Sequence, residues 1–299
     1  MAQDFTAPVV EVPRLPAGLR EPAAVEAAVW ALPVAVPAFV VARGEHLALA
    51  CTEVRLAYDA TTFYAAFRCR LPSGPAPVFE SPPPGAADVL PATTEDGIEL
   101  FLAPPGTPTG DYLHVIVSHH GLTYQERGRH PAGWPGRWTA TTRRAAVGWT
   151  VLLRLPFAEL GATPRPDAPA WRANFGRNAV PWREYSSWPP TPDESFHRPE
   201  CFGQLRFCFP GQTAARLGYP ELTADGRVVA RAWLDNPGRE AAWFRAAFQA
   251  GPERLAAFHR SASPGTQVWS LAAPFRPTGG YQTMRAEVTN ATGEILAYL

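Results

Sequence analysis

Proline limits this chain more than any other residue: 34 prolines are spread through 299 positions, roughly twice the usual ~5% share. Proline lacks a backbone N–H and clashes with the preceding helical turn. Long helices should therefore be few, and many fixed turns are expected between strand-like runs. Those runs alternate. In Cys51 to Asp59 the residues Val54, Leu56 and Tyr58 alternate with Glu53, Arg55 and Ala57. After a turn at Asp59 to Thr62, Phe63, Ala65, Phe67 and Cys69 share one face. A period of two with β-branched and aromatic residues specifies strands half-buried on a core, here a hairpin.

The same pattern continues down the chain. Ile98, Leu100 and Leu102 oppose Glu99 and Phe101, and His114, Ile116 and Ser118 oppose Val115, Val117 and His119. Trp138 to Ala145 and Gly148 to Pro156 read as two further strands. Pro22 to Trp30 suits a short helix, with Pro22 in its first turn, and Pro72 to Pro91 reads as a loop. Many short strands joined by Pro/Gly turns predict an all-β protein, an antiparallel β-sandwich. Pro210 to Pro220 breaks the periodicity and reads as a linker. Beyond it, DGRVVARAWLDNPG, AAWFRAAF, QVWSLAAPF and TMRAEVTNATGEILAYL read as strands of a smaller β-sandwich of immunoglobulin-like size. Gln249 to Phe258 would also suit a helix. The expected organisation is a sandwich over 1–209, a linker over 210–220 and a second β domain over 221–299.

Within the first domain, Trp171 to Phe207 stands out. Two alternating runs, opening at Trp171 and closing at Phe202, frame a long segment that carries Trp182, Trp188, Tyr185, Phe196, Asn178, Asp193, His197 and several arginines. Loops longer than ~12–15 residues in compact domains are usually functional or disordered, and so many large rings argue against disorder. The segment is either a display of stacking rings and polar groups or a cover whose tryptophans plug the core.

Charge excludes several functions. The 27 basic and 27 acidic residues cancel, so there is no electrostatic footprint for nucleic acid or an anionic membrane. Every Lys/Arg position is arginine, and without lysine neither a Schiff base nor a P-loop can form. No run approaches the ~20 apolar residues of a membrane span. Met1 to Arg20 lacks the basic start and apolar stretch of a signal peptide. Cys51, Cys69, Cys201 and Cys208 show no CxxC spacing, which argues against a zinc site built on thiolates; buried thiols and disulfide pairings are both compatible with the spacing.

Catalytic and metal motifs are sparse. Asp96 and Glu99 lie three apart on a strand and face opposite sides, so they do not flank one bond unless Asp96 bends back. His114, His119 and His120 have no acidic companion at ligand spacing along their strand, so no metal is expected. No G-x-S-x-G, Gly-rich phosphate loop or Cys–His pair is present. Rings beside hydrogen-bonding groups remain. Sugars present apolar C–H faces edged by hydroxyls, which aromatic rings and Asp, Glu, Asn or Arg can engage. Trp182, Trp188, Phe196, Asn174, Asp193, Asp96 and Glu99 are the candidate ligand-binding residues.

With these residues in hand, roughly Leu15 to Phe209 resembles the family 9 carbohydrate-binding module, a β-sandwich attached to secreted glycoside hydrolases. TEVRLAYDATTFYAAFRC corresponds to its opening hairpin, EDGIELF to its D-x-x-E-[IL]-F strand, GWTVLLRLPFAELG to its strand-to-turn segment, and SSWPPTPDESFHRPECFGQLRF to its W…P…FG-x-L end. The resemblance implies a non-catalytic protein that binds an oligosaccharide or polysaccharide, secreted or periplasmic and linked to polysaccharide breakdown. It also leaves room for a protein partner on the C-terminal β domain. Glu99 matches the family's binding glutamate, Asn174 and Asp193 fall at amide positions, and Phe196 stands for one clamping tryptophan. Thr93, Ile116 and Leu152 stand where a second ring, an arginine and a glutamate are expected, so Trp134, Trp182 or Trp188 would have to supply that ring. Bound calcium occurs in the family, but no clustered acidic loop here calls for it, and no cofactor is expected. Two rival functions follow from the same residues: an interaction module whose sugar site has decayed, and a glycoside hydrolase, for which Glu99 lacks an obvious second carboxylate.

Overall fold

The computed structural model describes residues 7–44, 46–72, 95–108, 110–130, 134–218, 221–250, 253–276 and 284–298. Pro72 is thus the last described residue before the proline-rich loop, and the rest of that loop, with Thr93, lies outside the described residues. The chain divides into two compact units, Arg14–Gln204 and a second made of Met1–Pro13 with Leu205–Leu299.

In the unit Arg14–Gln204, alternation becomes two antiparallel sheets. The first pairs β1 (Thr52–Tyr58), β2 (Thr62–Arg70), β7 (Gly148–Pro156) and β6 (Thr139–Ala145) in that order. The second runs β9 (Glu184–Trp188), β8 (Trp171–Ala179), β3 (Gly97–Ala103), β4 (Leu113–Ser118) and β5 (Thr123–Arg127). Side chains on alternate positions of β3, β4 and β8 meet those of β1, β2 and β7 in the core, where Phe67 meets Phe175 edge to face at 5.9 Å. Ile98, Leu100, Val115, Val117, Ala173 and Phe175 are all buried there, as period two requires. The helix α1 (Pro22–Ala31) forms where its proline predicts, and Val25 and Val29 pack on Ala57, Tyr64, Ala66 and Leu152. After β7 comes α2 (Phe157–Leu160), ended by Gly161 at φ 69°, a left-handed cap that suits glycine.

One polar cluster also faces this core. Arg177, inward on β8, is fully buried and donates from Nε and Nη2 to the two carboxylate oxygens of Asp96 at 2.9 and 2.8 Å. Its Nη1 donates to the carbonyls of Ala50, Cys51 and Arg70, and Trp149 Nε1 reaches Asp96 at 2.9 Å. Every charge here has a partner, the condition under which a buried ion pair is tolerable.

The second unit is again antiparallel. One sheet orders Glu253–Ala262, Ala242–Ala250, Met284–Asn290, Ile295–Tyr298 and Val9–Val12; the other pairs Arg227–Asn236 with Ala214–Leu217, Glu221–Leu222 and Gly265–Pro274. Phe244, Phe248, Trp269, Leu271 and Leu296 lie in its core. Three expectations are corrected here. Ala214–Leu217, inside the expected linker 210–220, is a strand that buries Ala215 and Leu217 against Ala232 to Asp235. The extreme N-terminal strand belongs to this unit rather than to 1–209, because Val9 pairs with Tyr298 and covers an otherwise open edge. Gln249–Ala250 and Glu253–Phe258 belong to two paired strands, Gln249 opposite Arg254, rather than to the helix that this stretch would also suit. Cys51, Cys69, Cys201 and Cys208 are thiols, none of them joined in a disulfide.

Candidate functional site

The outward face of the β9–β8–β3–β4–β5 sheet carries the functional chemistry, and the register dictates which residues share it. Tyr124, Ile116, Glu99, Gly176 and Ser187 form one row across β5, β4, β3, β8 and β9, and Glu126, His114, Phe101 and Asn174 form the next. Residues opposite each other point the same way, and long side chains reach diagonal neighbours ~7–8 Å off. From Glu99 two such diagonals are used. His114 Nε2 lies 2.7 Å from Glu99 Oε2, and Asn178 Nδ2 donates to Glu99 Oε1 at 2.5 Å. The other imidazole nitrogen of His114 meets Glu126 Oε1 at 2.8 Å, and Tyr124 donates its hydroxyl proton to Glu126 Oε2 at 2.9 Å. Five side chains from four strands thus form one hydrogen-bonded chain, Asn178–Glu99–His114–Glu126–Tyr124.

Burial and charge tune this chain. Burial opposes a proton on His114, but hydrogen bonds to Glu126 and Glu99 outweigh it and raise the imidazole above its ordinary value. Burial likewise works against charge on Glu126, yet His114 holds that carboxyl below the usual range. Tyr124 is pushed up to about 12 by burial and by its bond to Glu126. His197, beside them, is lowered by burial and by the charge of His114. Its Nδ1 sits 2.7 Å from the Tyr112 hydroxyl.

Part of the face is covered. The segment after β9 folds back so that Phe196 and Phe202 join Phe101, Ala103 and Tyr112 in a small buried cluster. Gly176 makes this possible: a Cβ there would stand 2.6 Å from the Phe196 ring. What stays open is a cleft of about 500 Å³ whose lining includes Glu99, His114, Glu126, Asn178, Phe196 and His197, with Tyr124 and Tyr185 on the strands at its two sides. Tyr185 is 38% exposed and lies directly opposite Asn178. The two tyrosines stand four strand spacings apart, roughly 19 Å at ~4.8 Å per strand.

Of the expected ligand-binding residues, Glu99 and Phe196 line this cleft, Glu99 with its oxygens on His114 and Asn178. Phe196 borders it but is 4% exposed, its face taken by Gly176 and Phe101. Trp188 is sealed in the core, stacked on Phe175 at 5.4 Å, because its register opposite Phe175 turns it inward. Asp96 is consumed by Arg177 and Trp149. Asn174 is buried and donates to the Pro189 carbonyl. Asp193, half-buried, is ion-paired with Arg198 and accepts from the Ser195 N–H, which shapes the loop. Trp182, half-buried in the short turn Val180–Trp182, does not line the cleft. Trp134 is buried and donates to Glu159 O. The rings that line the cleft besides Phe196 are Tyr124 and Tyr185, not tryptophans. His114, Glu126 and Tyr124 were missed as site residues; the alternation of Tyr124 and Glu126 in TYQER was the available signal.

The fold and site define a class: an antiparallel β-sandwich with a polar, tyrosine-walled cleft on the outer face of one sheet. No protein-family model matches the chain, and no curated protein matches it. Among solved structures, it is similar to a Bacteroides uniformis protein proposed to bind carbohydrate, at 16% identity and a TM-score of 0.48 over 68% of this chain and 100% of that one. It is also similar to a family 9 carbohydrate-binding module from Caldicellulosiruptor kristjanssonii, solved with cellotriose (15% identity, TM-score 0.43, 67% of this chain and 93% of that one) and with glucose (16%, 0.43, 67% and 95%).

Proposed function

We propose that the cleft over Glu99 binds carbohydrate without acting on it. The observation that carries this reading is the pairing of a half-exposed ring, Tyr185, with acceptors and donors fixed at Glu99, Asn178 and Glu126 in one open cleft. A sugar needs a flat apolar surface for its C–H face and pre-aimed polar groups for its hydroxyls, and about 500 Å³ falls within the ~300–1,000 Å³ of small-ligand sites. Glu99 and Glu126 are bridged by one imidazole rather than facing each other across open space. A hydrolytic pair needs free carboxyl groups ~5–9.5 Å apart on either side of the bond, so the bridge favours binding over hydrolysis.

Calorimetric titration with soluble sugars, glucose and cellotriose among them, tests the proposal. Binding is expected, with Glu99→Gln weakening it roughly tenfold or more, as for loss of a charged hydrogen bond worth ~1.5–3 kcal/mol. A flat response across the panel, or full affinity in both Glu99→Gln and Tyr185→Ala, would remove sugar as the occupant.

A further inference from the structure

We infer that Glu99, His114 and His197 form a site for a divalent transition metal in the same cleft. Each offers one ligand atom, and these atoms lie within 4.8 Å of one another. Two imidazoles and one carboxylate are a donor set suited to zinc, cobalt, nickel or iron rather than to calcium, which takes oxygen ligands.

The surrounding hydrogen bonds give the stronger argument. Metal-ligating groups are normally held by partners on their other polar atom, and those partners fix tautomer and orientation. Here each of the three has one. His114 Nδ1 is bound to Glu126 at 2.8 Å, a carboxylate–histidine pair that leaves Nε2 for the metal. His197 Nδ1 meets the Tyr112 hydroxyl at 2.7 Å, which again leaves Nε2. Glu99 Oε1 takes the Asn178 amide and leaves Oε2. Phe101 packs flat on His114 at 4.0 Å and edge-on to His197 at 5.1 Å, so both rings are braced by one side chain.

Only a small movement is needed. Glu99 Oε2 and His114 Nε2 are 2.7 Å apart and share a proton. Zinc–ligand bonds of ~2.0–2.1 Å at a tetrahedral angle place two donors roughly 3.3 Å apart. The metal takes the place of the shared proton, which leaves to solvent. Three protein ligands leave a fourth position facing the open cleft, for water or another oxygen ligand. This inference does not depend on sugar binding, since the donors and their supports stand by themselves.

Among the described residues, Glu95, His119 and His120 form another trio of the same type, so the test must separate the two. Chelator-stripped full-length protein is titrated with Zn²⁺ by calorimetry in two buffers of different ionisation enthalpy, and with Co²⁺ followed by visible absorption. One Zn²⁺ per chain with release of about one proton, and a cobalt spectrum of a nitrogen- and oxygen-ligated ion, are expected. His197→Gln, in a loop and so spared from unfolding the sheet, should weaken binding at least tenfold. Glu126→Gln, which alters a supporting bond of His114 and no metal ligand, should weaken it ~10–100-fold. His119→Gln should leave it unchanged. Absence of Zn²⁺ binding, or binding lost in His119→Gln and retained in His197→Gln, would overturn the assignment. Sugar titrations run in chelator report on the carbohydrate proposal separately.

Discussion

Strands β3 and β8 help to place polar clusters on both faces of their sheet, with opposite results. Inward, Asp96 and Arg177 meet with neither exposed, every oxygen and nitrogen directed at a carbonyl, an indole or the opposite charge. Outward, three residues beyond Asp96 and one beyond Arg177, Glu99 and Asn178 join His114, Glu126 and Tyr124 in a chain of similar polarity that ends in an open cleft. The inner cluster is closed because an arginine fork satisfies two carboxylate oxygens and still has donors for backbone carbonyls. The outer one sets two carboxylates against the two nitrogens of a single imidazole, His114, beside an open cleft. A charged group in a β-sandwich thus becomes a pin or a site according to whether its partners exhaust its hydrogen-bonding capacity. Residue type alone does not decide this.

The contrast can be broken at its strongest point first. Arg177→Met should cost about 3–5 kcal/mol in chemical denaturation, because it leaves Asp96 buried without a counter-charge. A loss below about 1 kcal/mol would mean that the pin is not closed. Glu11, in the second unit, sharpens the comparison as a buried carboxyl whose partners fall short. Burial outweighs the Ala215 N–H and Arg206 and pushes it up to about 8 from 4.5. An acid with a raised folded pKa contributes stability that is full below pH 4.5 and is lost as pH climbs toward 8. Denaturation profiles of that unit should therefore weaken on the order of a few kcal/mol across this window, and Glu11→Gln should flatten the profile.

Smaller effects probe the boundary between cover and cleft. Gly176→Ala should destabilise by about 1–3 kcal/mol, since its methyl carbon meets the Phe196 ring at 2.6 Å and the loop must shift. Double replacement, Gly176→Ala with Phe196→Ala, should cost less than the sum of the two changes measured singly, because the clash disappears with the ring. Tyr185→Ala should change stability by no more than ~0.5 kcal/mol while lowering sugar affinity roughly 2- to 10-fold, the range for one aromatic contact of ~0.5–1.5 kcal/mol. Unchanged affinity would move the stacking surface to Tyr124.

Much of the unit Arg14–Gln204 was legible in its sequence. Alternation in Cys51 to Cys69 gave the β1–β2 hairpin, and the placement of Glu99 and Phe101 opposite Ile98 and Leu100 gave the two faces of β3. Those are local facts, fixed by a backbone whose side chains point up and down in turn. The rings were misread because Trp188 and Phe196 look alike on paper. One turns inward through its pairing with Phe175, and the other is pressed onto Gly176 by a loop that returns over the sheet. The second carboxylate of the cleft was missed because Glu126 is 27 residues from Glu99 and meets it only through His114, by way of two successive strand pairings.

By itself the sequence determined that this chain would be short antiparallel strands with one face of each buried, since a period of two and frequent prolines allow little else. Only the tertiary structure decided which outward residues would meet water. Exposure on a sheet face depends on where a distant loop comes to rest, and so on register and packing between segments far apart in the chain. Tyr185 is left 38% exposed, while Asn174 and Phe196, on the same face of the sheet, are closed over. The physical reason is that alternation is a property of one strand, whereas enclosure is a property of several segments packed together.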